Sequence, residues 1–202
     1  MTKMFGPNDF GQGENQPTLM MFSGQGSQYY QMGRDLYDNH DGFYRHLNDL
    51  DSLVKEQLGE SVISHMYDNK NRITDPFDRL LYTHPAIFIL EVALSKVLAD
   101  VNIKPDIVMG ASLGELGAAC TSGAISIEQG IQLVLAQARI VESKCREAGM
   151  LAILASEFSY SETPEIYEHC ELASINAEGH FVVSGTNPSL QKIEDFLIKK
   201  GI

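Results

Sequence analysis

The sequence predicts an α/β protein, and three observations carry that reading. A short apolar run, Ile107-Val108-Met109, leads into Gly110-Ala111-Ser112-Leu113-Gly114 and then into a small-residue segment with helical character. An earlier apolar run, Thr18-Leu19-Met20-Met21-Phe22, ends in a second glycine-bearing loop, and long helical stretches separate the two. After Gly149 the rhythm changes to β-α-β-β-α, one strand short of a ferredoxin-like βαββαβ unit. The completing strand is expected right after Ile202, so the chain reads as part of a longer protein.

Bulk properties narrow the function classes. The 202 residues suit one large domain, or one domain with a small satellite, and are enough to bury a real core. Fifteen Lys and Arg against 27 Asp and Glu give a net charge of −12, which argues against nucleic-acid or anionic-membrane binding through a global field. Three cysteines, an odd number, and no secretory leader point to reduced thiols in the cytoplasm. Residues 1 to 17 read as a mobile lead without the basic start and apolar centre of a signal peptide, and no apolar run is expected to reach membrane-spanning length.

Taken in order, Thr18 to Phe22 is a buried strand, and Tyr29 to about Leu58 one helix with Met32, Leu36, Phe43, Leu47, Leu50 and Leu53 on its apolar positions. Residues 61 to 80 read as a polar, loosely helical connector. An apolar helix then opens at Thr83-His84-Pro85, the proline near its start where a missing amide donor is harmless, and runs to about Val101. Beyond the Ser112 turn, Ser126-Ile127-Glu128-Gln129 matches a capping box that starts a helix to about Ala148. Met150 to Ala155, Glu171 to Asn176 and His180 to Ser184 are strands; residues 161 to 170 and Pro188 to Lys200 are helices.

Ser112 is the candidate nucleophile. Glycines on either side let strand and helix approach closely and leave the seryl oxygen uncovered, while a helix starting there aims free amides and its positive dipole end at a developing oxyanion. Ser23-Gly24-Gln25-Gly26-Ser27-Gln28 is the second loop whose backbone could meet a ligand. It is not a phosphate cradle, for it lacks the Lys-Ser or Lys-Thr of a Walker loop and a full Gly-x-Gly-x-x-Gly. The histidines and cysteines form no cluster with metal-ligand spacing, so neither metal nor cofactor is expected.

Phe22-Ser23-Gly24-Gln25-Gly26-Ser27-Gln28, Thr83-His84-Pro85-Ala86, Gly110 to Glu115, and Ala177-Glu178-Gly179-His180-Phe181-Val182-Val183-Ser184-Gly185 together resemble the acyltransferases of fatty-acid and polyketide synthesis, above all malonyl-CoA:acyl-carrier-protein transacylases. The likeness spans residues 18 to 202. It implies an α/β-hydrolase-like large subdomain, here residues 18–148, carrying a ferredoxin-like small subdomain, here residues 149–202, with the C-terminal part missing. It also implies ping-pong transfer through an acyl-serine, with an acyl carrier protein as partner and acyl-CoA as a possible second one. By position, Ser112 is then the nucleophile, and the backbone amides of Gln25 and Leu113 form the oxyanion hole. The family's catalytic histidine is expected beyond Ile202.

Three departures from the family shape the functional expectation. Ala111 replaces the histidine before the nucleophile, His84 replaces a glutamine, and Gln137 stands where an arginine grips the carboxylate of malonyl groups. Ala111, His84 and Gln137 are therefore the substrate-binding candidates, with a supporting or packing role favoured for His84. Arg139 sits about 200° further round a helix and does not substitute for the missing arginine. A pocket without that cation should reject dicarboxylic acyl groups and accept neutral ones. The pattern resembles the acyl hydrolases of trans-acyltransferase polyketide synthases, which strip acyl groups from carrier proteins. The alternatives are a conventional malonyl or acyl transferase and a non-catalytic carrier-protein-binding module.

Overall fold

The computed structural model describes residues 17–145, 148–155 and 158–202, so the expected mobile lead lies, apart from Pro17, outside the described residues. The chain divides into two compact units, one ending at Glu142 and the other beginning at Ser143.

In the first unit β1 (Leu19–Phe22) and β2 (Ile107–Gly110) pair in parallel, Leu19 opposite Ile107 and Phe22 opposite Gly110. Asp106 fixes the start of this pairing: its Oδ2 accepts the Thr18 amide at 2.8 Å, and its own amide donates to the Thr18 carbonyl at 2.9 Å. Parallel strands need a long crossover, and four helices supply it.

The single helix expected from Tyr29 to Leu58 is two, α1 (Arg34–Asn39) and α2 (Asp41–Leu58). Gln31 and Gly33 adopt left-handed conformations, φ 67° and 70°, which keep the chain before Arg34 out of the helix. His40 is extended, and its Nδ1 accepts the Phe43 amide at 3.1 Å, so it ends one helix and caps the next. The expected connector contains α3 (Val62–Met66), whose first amides are held by Asp51 of α2: Oδ1 accepts from Val62 at 2.7 Å and from Ile63 at 3.1 Å.

Helix α4 (Leu80–Asp100) begins three residues before the expected Thr83, because Arg79 is extended and Glu142 Oε1 accepts the Leu81 amide at 3.0 Å. Pro85 is consequently inside the helix and not at its first position. Contrary to the expectation that no apolar run would be long enough, α4 has the length and composition to cross a membrane, being 21 residues with mean hydropathy 1.3. Its apolar surface is nevertheless covered. Ala86, Ile87, Phe88 and Ile89 are buried with Phe43, Leu47, Leu50 and Val54 of α2 and with Ile131, Val134 and Leu135 of α6 (Ile127–Lys144). Side chains of this kind each contribute about 1.5–3 kcal/mol on full burial.

Helix α5 (Gly114–Thr121) follows β2, and α6 starts at the expected capping box. Ser126 Oγ accepts the Gln129 amide at 3.2 Å, and Gln129 Oε1 accepts the Ser126 amide at 2.9 Å.

The second unit keeps the expected order of strands, but two short helices stand where one was expected at 161 to 170: β3 (Gly149–Ile153), α7 (Phe158–Glu162), α8 (Pro164–Tyr167), β4 (Glu171–Ala177), β5 (His180–Gly185) and α9 (Asn187–Lys200). The sheet is antiparallel in the order β3-β5-β4. One face of it, through Ile153, Phe181 and Val183, buries Ile166 of α8 and Ile193 and Leu197 of α9. Thr186 caps α9 by accepting the Ser189 amide, and Gly201 ends it at φ 77°.

Candidate active site

Phe22 and Gly110 are opposite each other at the carboxyl ends of β1 and β2, and each strand runs on into a glycine-bearing loop. Ligand sites in open α/β sheets form at such ends. Ser112 is exposed and holds φ 53°, a left-handed conformation rare for a residue with a side chain. The turn around it closes at once into α5: Gly114 donates to the Ala111 carbonyl at 3.0 Å and Glu115 to the Ser112 carbonyl at 3.1 Å. Leu113 is buried at 3 % exposure, which anchors the turn and leaves its amide at the N-terminus of the helix.

Both glycines of the turn are demanded by backbone, not by habit. A β-carbon on Gly110 would overlap the backbone of Gly114 and Glu115, and one on Gly114 would overlap the carbonyls of Phe22 and Ser23. The second loop is pressed on the first. A β-carbon on Gly24 would come within 2.6 Å of the Ala111 oxygen and 3.2 Å of the Ser112 Cβ, so this loop and the serine are in direct apposition. The Ala111 amide donates to the Phe22 carbonyl at 3.0 Å, which ties the turn back to β1.

Gln25 is exposed at the tip of that loop, and its Oε1 lies 3.2 Å from His84 Nε2. A carboxamide oxygen only accepts, so this contact assigns the proton to Nε2 and leaves Nδ1 unprotonated. Nδ1 is buried and has no hydrogen-bond partner. Burial pushes the His84 pKa below the usual histidine value, and the imidazole is neutral near pH 7. At 2 % exposure His84 is no substrate-binding surface, contrary to its place among the binding candidates; its route to the site is through Gln25.

One participant was missed by sequence reasoning. Glu91 Oε1 accepts from the Ser23 amide at 2.6 Å and from the Ser23 hydroxyl at 2.7 Å, holding the base of the loop. Burial raises its pKa, and the two Ser23 hydrogen bonds oppose the rise. A solitary carboxylate within the apolar run Ile87 to Leu98 was the available signal.

The remaining binding candidates are exposed. Ala111 flanks Ser112, and Gln137 is on the solvent side of α6 between buried Leu135 and Ala138. Arg139 Nη2 donates to the Gln57 carbonyl at the end of α2, at 3.0 Å, so that guanidinium is engaged away from Gln137. Among the described residues no histidine is hydrogen-bonded to Ser112: His40 caps α2, His46 pairs with Asp100 at 2.7 Å and His65 with Glu60 at 2.9 Å. A cavity of about 520 Å³ lies by the opposite end of β2, near Lys104, Asp106 and Cys120, and is not part of this site.

A parallel β-strand pair that raises a strained serine at a helix N-terminus, against a glycine loop, is the arrangement of an α/β enzyme domain. The chain belongs to the acyl transferase domain family, whose model matches residues 19–202. It is 50 % identical over 188 residues to the polyketide biosynthesis acyltransferase homolog BaeD of Bacillus velezensis, and 41 % identical to the homolog PksD of Bacillus subtilis. These alignments cover 93 % of this chain and 58 % of each relative, so the chain spans a little over half the length of these curated relatives. Among solved structures it is similar to the acyltransferase domain from the second module of the salinomycin polyketide synthase, with TM-score 0.75 and 28 % identity over 92 % of this chain and 42 % of that one. The malonyl CoA-acyl carrier protein transacylase of Clostridium perfringens superposes with TM-score 0.72 and 27 % identity, over 92 % of this chain and 58 % of that one.

Proposed function

We propose that the full-length protein is a serine hydrolase that removes neutral acyl groups from acyl-carrier-protein thioesters, an editing step of polyketide synthesis in the cytoplasm. The observation that carries this is Ser112 itself, left-handed at the head of α5 with the Gly24-Gln25 loop against it. The Ser112 hydroxyl attacks the thioester carbonyl as a base takes its proton; the resemblance puts that base, a histidine, beyond Ile202. The tetrahedral oxyanion accepts hydrogen bonds from the amides of Gln25 and Leu113, each such donor typically contributing about 3–4 kcal/mol. Collapse expels the phosphopantetheine thiolate, which takes up the proton, and leaves acyl-Ser112. Water then attacks the ester carbonyl and releases the free acid and the serine hydroxyl.

The preference for neutral acyl groups rests on Gln137 in the arginine position and on Arg139 being held by the Gln57 carbonyl. A malonyl carboxylate would find no charge-assisted partner in either side chain. The similarity to a transacylase and to acyltransferase homologs favours a second reading, an acyltransferase that loads malonyl groups from acyl-CoA. Intact-mass measurement of the full-length protein, incubated separately with acetyl and malonyl thioesters, separates the two. Acetyl loading followed by release of free acetate supports the hydrolase; stable loading by malonyl alone overturns it.

A further inference from the structure

Helix α4 touches the oxyanion loop at two points seven residues apart, and seven residues are two turns that return to nearly the same helix face. Near the loop's start Glu91 Oε1 accepts both hydrogens that Ser23 offers, at 2.6 and 2.7 Å. At its tip His84 donates to the Gln25 side chain at 3.2 Å. Between these points the loop braces itself. Ser27 Oγ donates to the Gly24 carbonyl at 2.9 Å, and Gln28 Oε1 accepts the Gly26 amide at 2.7 Å while its Nε2 donates to the Phe77 carbonyl at 3.2 Å.

Neither group is explained by packing alone. Glu91 is a carboxylate on a strongly apolar helix, and it accepts two hydrogen bonds from one serine. His84 is almost wholly buried with one nitrogen unpartnered, an arrangement that burial disfavours and that its single useful contact, with Gln25, makes intelligible. Because Gly24 is already closer to Ala111 than a β-carbon would allow, a small loop displacement changes where the Gln25 amide stands relative to Ser112.

We propose that Glu91 and His84 are positioning residues for the oxyanion hole: through Ser23 and Gln25 they set the loop whose amide stabilises the tetrahedral intermediate. They touch no reacting atom, so they act on the rate of the chemical step and not on substrate affinity. The inference rests on the acyl-serine reading of Ser112, and its test keeps the two apart.

The test is the rate at which an alkyl fluorophosphonate labels Ser112 in the full-length protein, followed by intact mass. The serine oxygen bonds to phosphorus as fluoride leaves, and the phosphoryl oxygen needs the same two amides. His84→Met fills the space without a donor, whereas His84→Gln keeps an N–H for Gln25; Glu91→Gln keeps size and removes charge. We expect labelling to slow by about ten- to hundredfold in His84→Met and Glu91→Gln, less than the ~10²–10³ typical of deleting a donor outright. His84→Gln should recover most of the rate, and kcat on an acyl thioester should fall with KM little changed. Equal labelling of wild type, His84→Met and Glu91→Gln, or loss in His84→Gln as deep as in His84→Met, overturns the proposal while leaving Ser112 as nucleophile. Absence of labelling in the wild type, or equal labelling of Ser112→Ala, overturns the acyl-serine reading as well.

Discussion

Gly24 and Ala111 are in backbone apposition: a β-carbon on Gly24 would stand 2.6 Å from the Ala111 carbonyl oxygen. Two loops from two strands are thereby locked into a single surface with Ser112 on it. Gly24→Ala must push them apart, at a cost of about 1–3 kcal/mol in stability, and should lower acyl-enzyme formation by more than that loss of folded protein explains. Chemical denaturation and single-turnover acylation of the same variant separate the two effects.

Ser112 carries backbone strain along with its proposed role. At φ 53° a side chain is unfavourable and glycine is not. Ser112→Gly should therefore raise the stability of the protein by about 1 kcal/mol while abolishing acylation. Ser112→Ala should abolish acylation without that gain, and comparison of the two melting temperatures reads the strain directly.

His84 gives a pH dependence whose sign follows from its environment. Burial, the larger influence, lowers its folded pKa below 6.5, and Glu142 opposes the shift weakly. The unfolded chain therefore takes up a proton as pH falls through 6.5 and the folded chain does not, so this contribution to stability is fully present above 6.5 and is lost as pH falls below it. His84→Gln should show a shallower fall in melting temperature between about pH 7.5 and 5.5 than the wild type. Parallel curves for the two would contradict the buried neutral state.

The elements that sequence made legible are those set by local pattern. The Ser112 turn, the reciprocal Ser126 and Gln129 cap and the β-α-β-β-α unit each declare themselves within a few residues. What stayed hidden depends on partners far along the chain. Helix α3 starts just after Ser61 because Asp51, on another helix, receives its first amides, and α4 gains a turn because Glu142 receives Leu81. The break at His40 escaped because apolar spacing continues across it while the backbone does not. In the site, Ser112 and its glycines were readable, but Glu91 reaches Ser23 across 68 residues and only folding brings them together.

Asp51 tests how far such distant caps stabilise the fold. It is 7 % exposed and accepts from the Ser61 hydroxyl at 2.6 Å as well as from two amides of α3. Asp51→Ala should cost about 2–3 kcal/mol, since it removes charge-assisted bonds and leaves buried donors unpaired. Asp51→Asn, which still accepts, should cost less, as urea denaturation would show.

The most direct measurement is peptide-level mass spectrometry of the full-length protein quenched during turnover of an acetyl carrier-protein thioester. The expected result is an acetyl group on the Ser112 hydroxyl, absent in Ser112→Ala and cleared to free acetate when the thioester is exhausted. An acetyl group on any other residue, or turnover that survives Ser112→Ala, would contradict it.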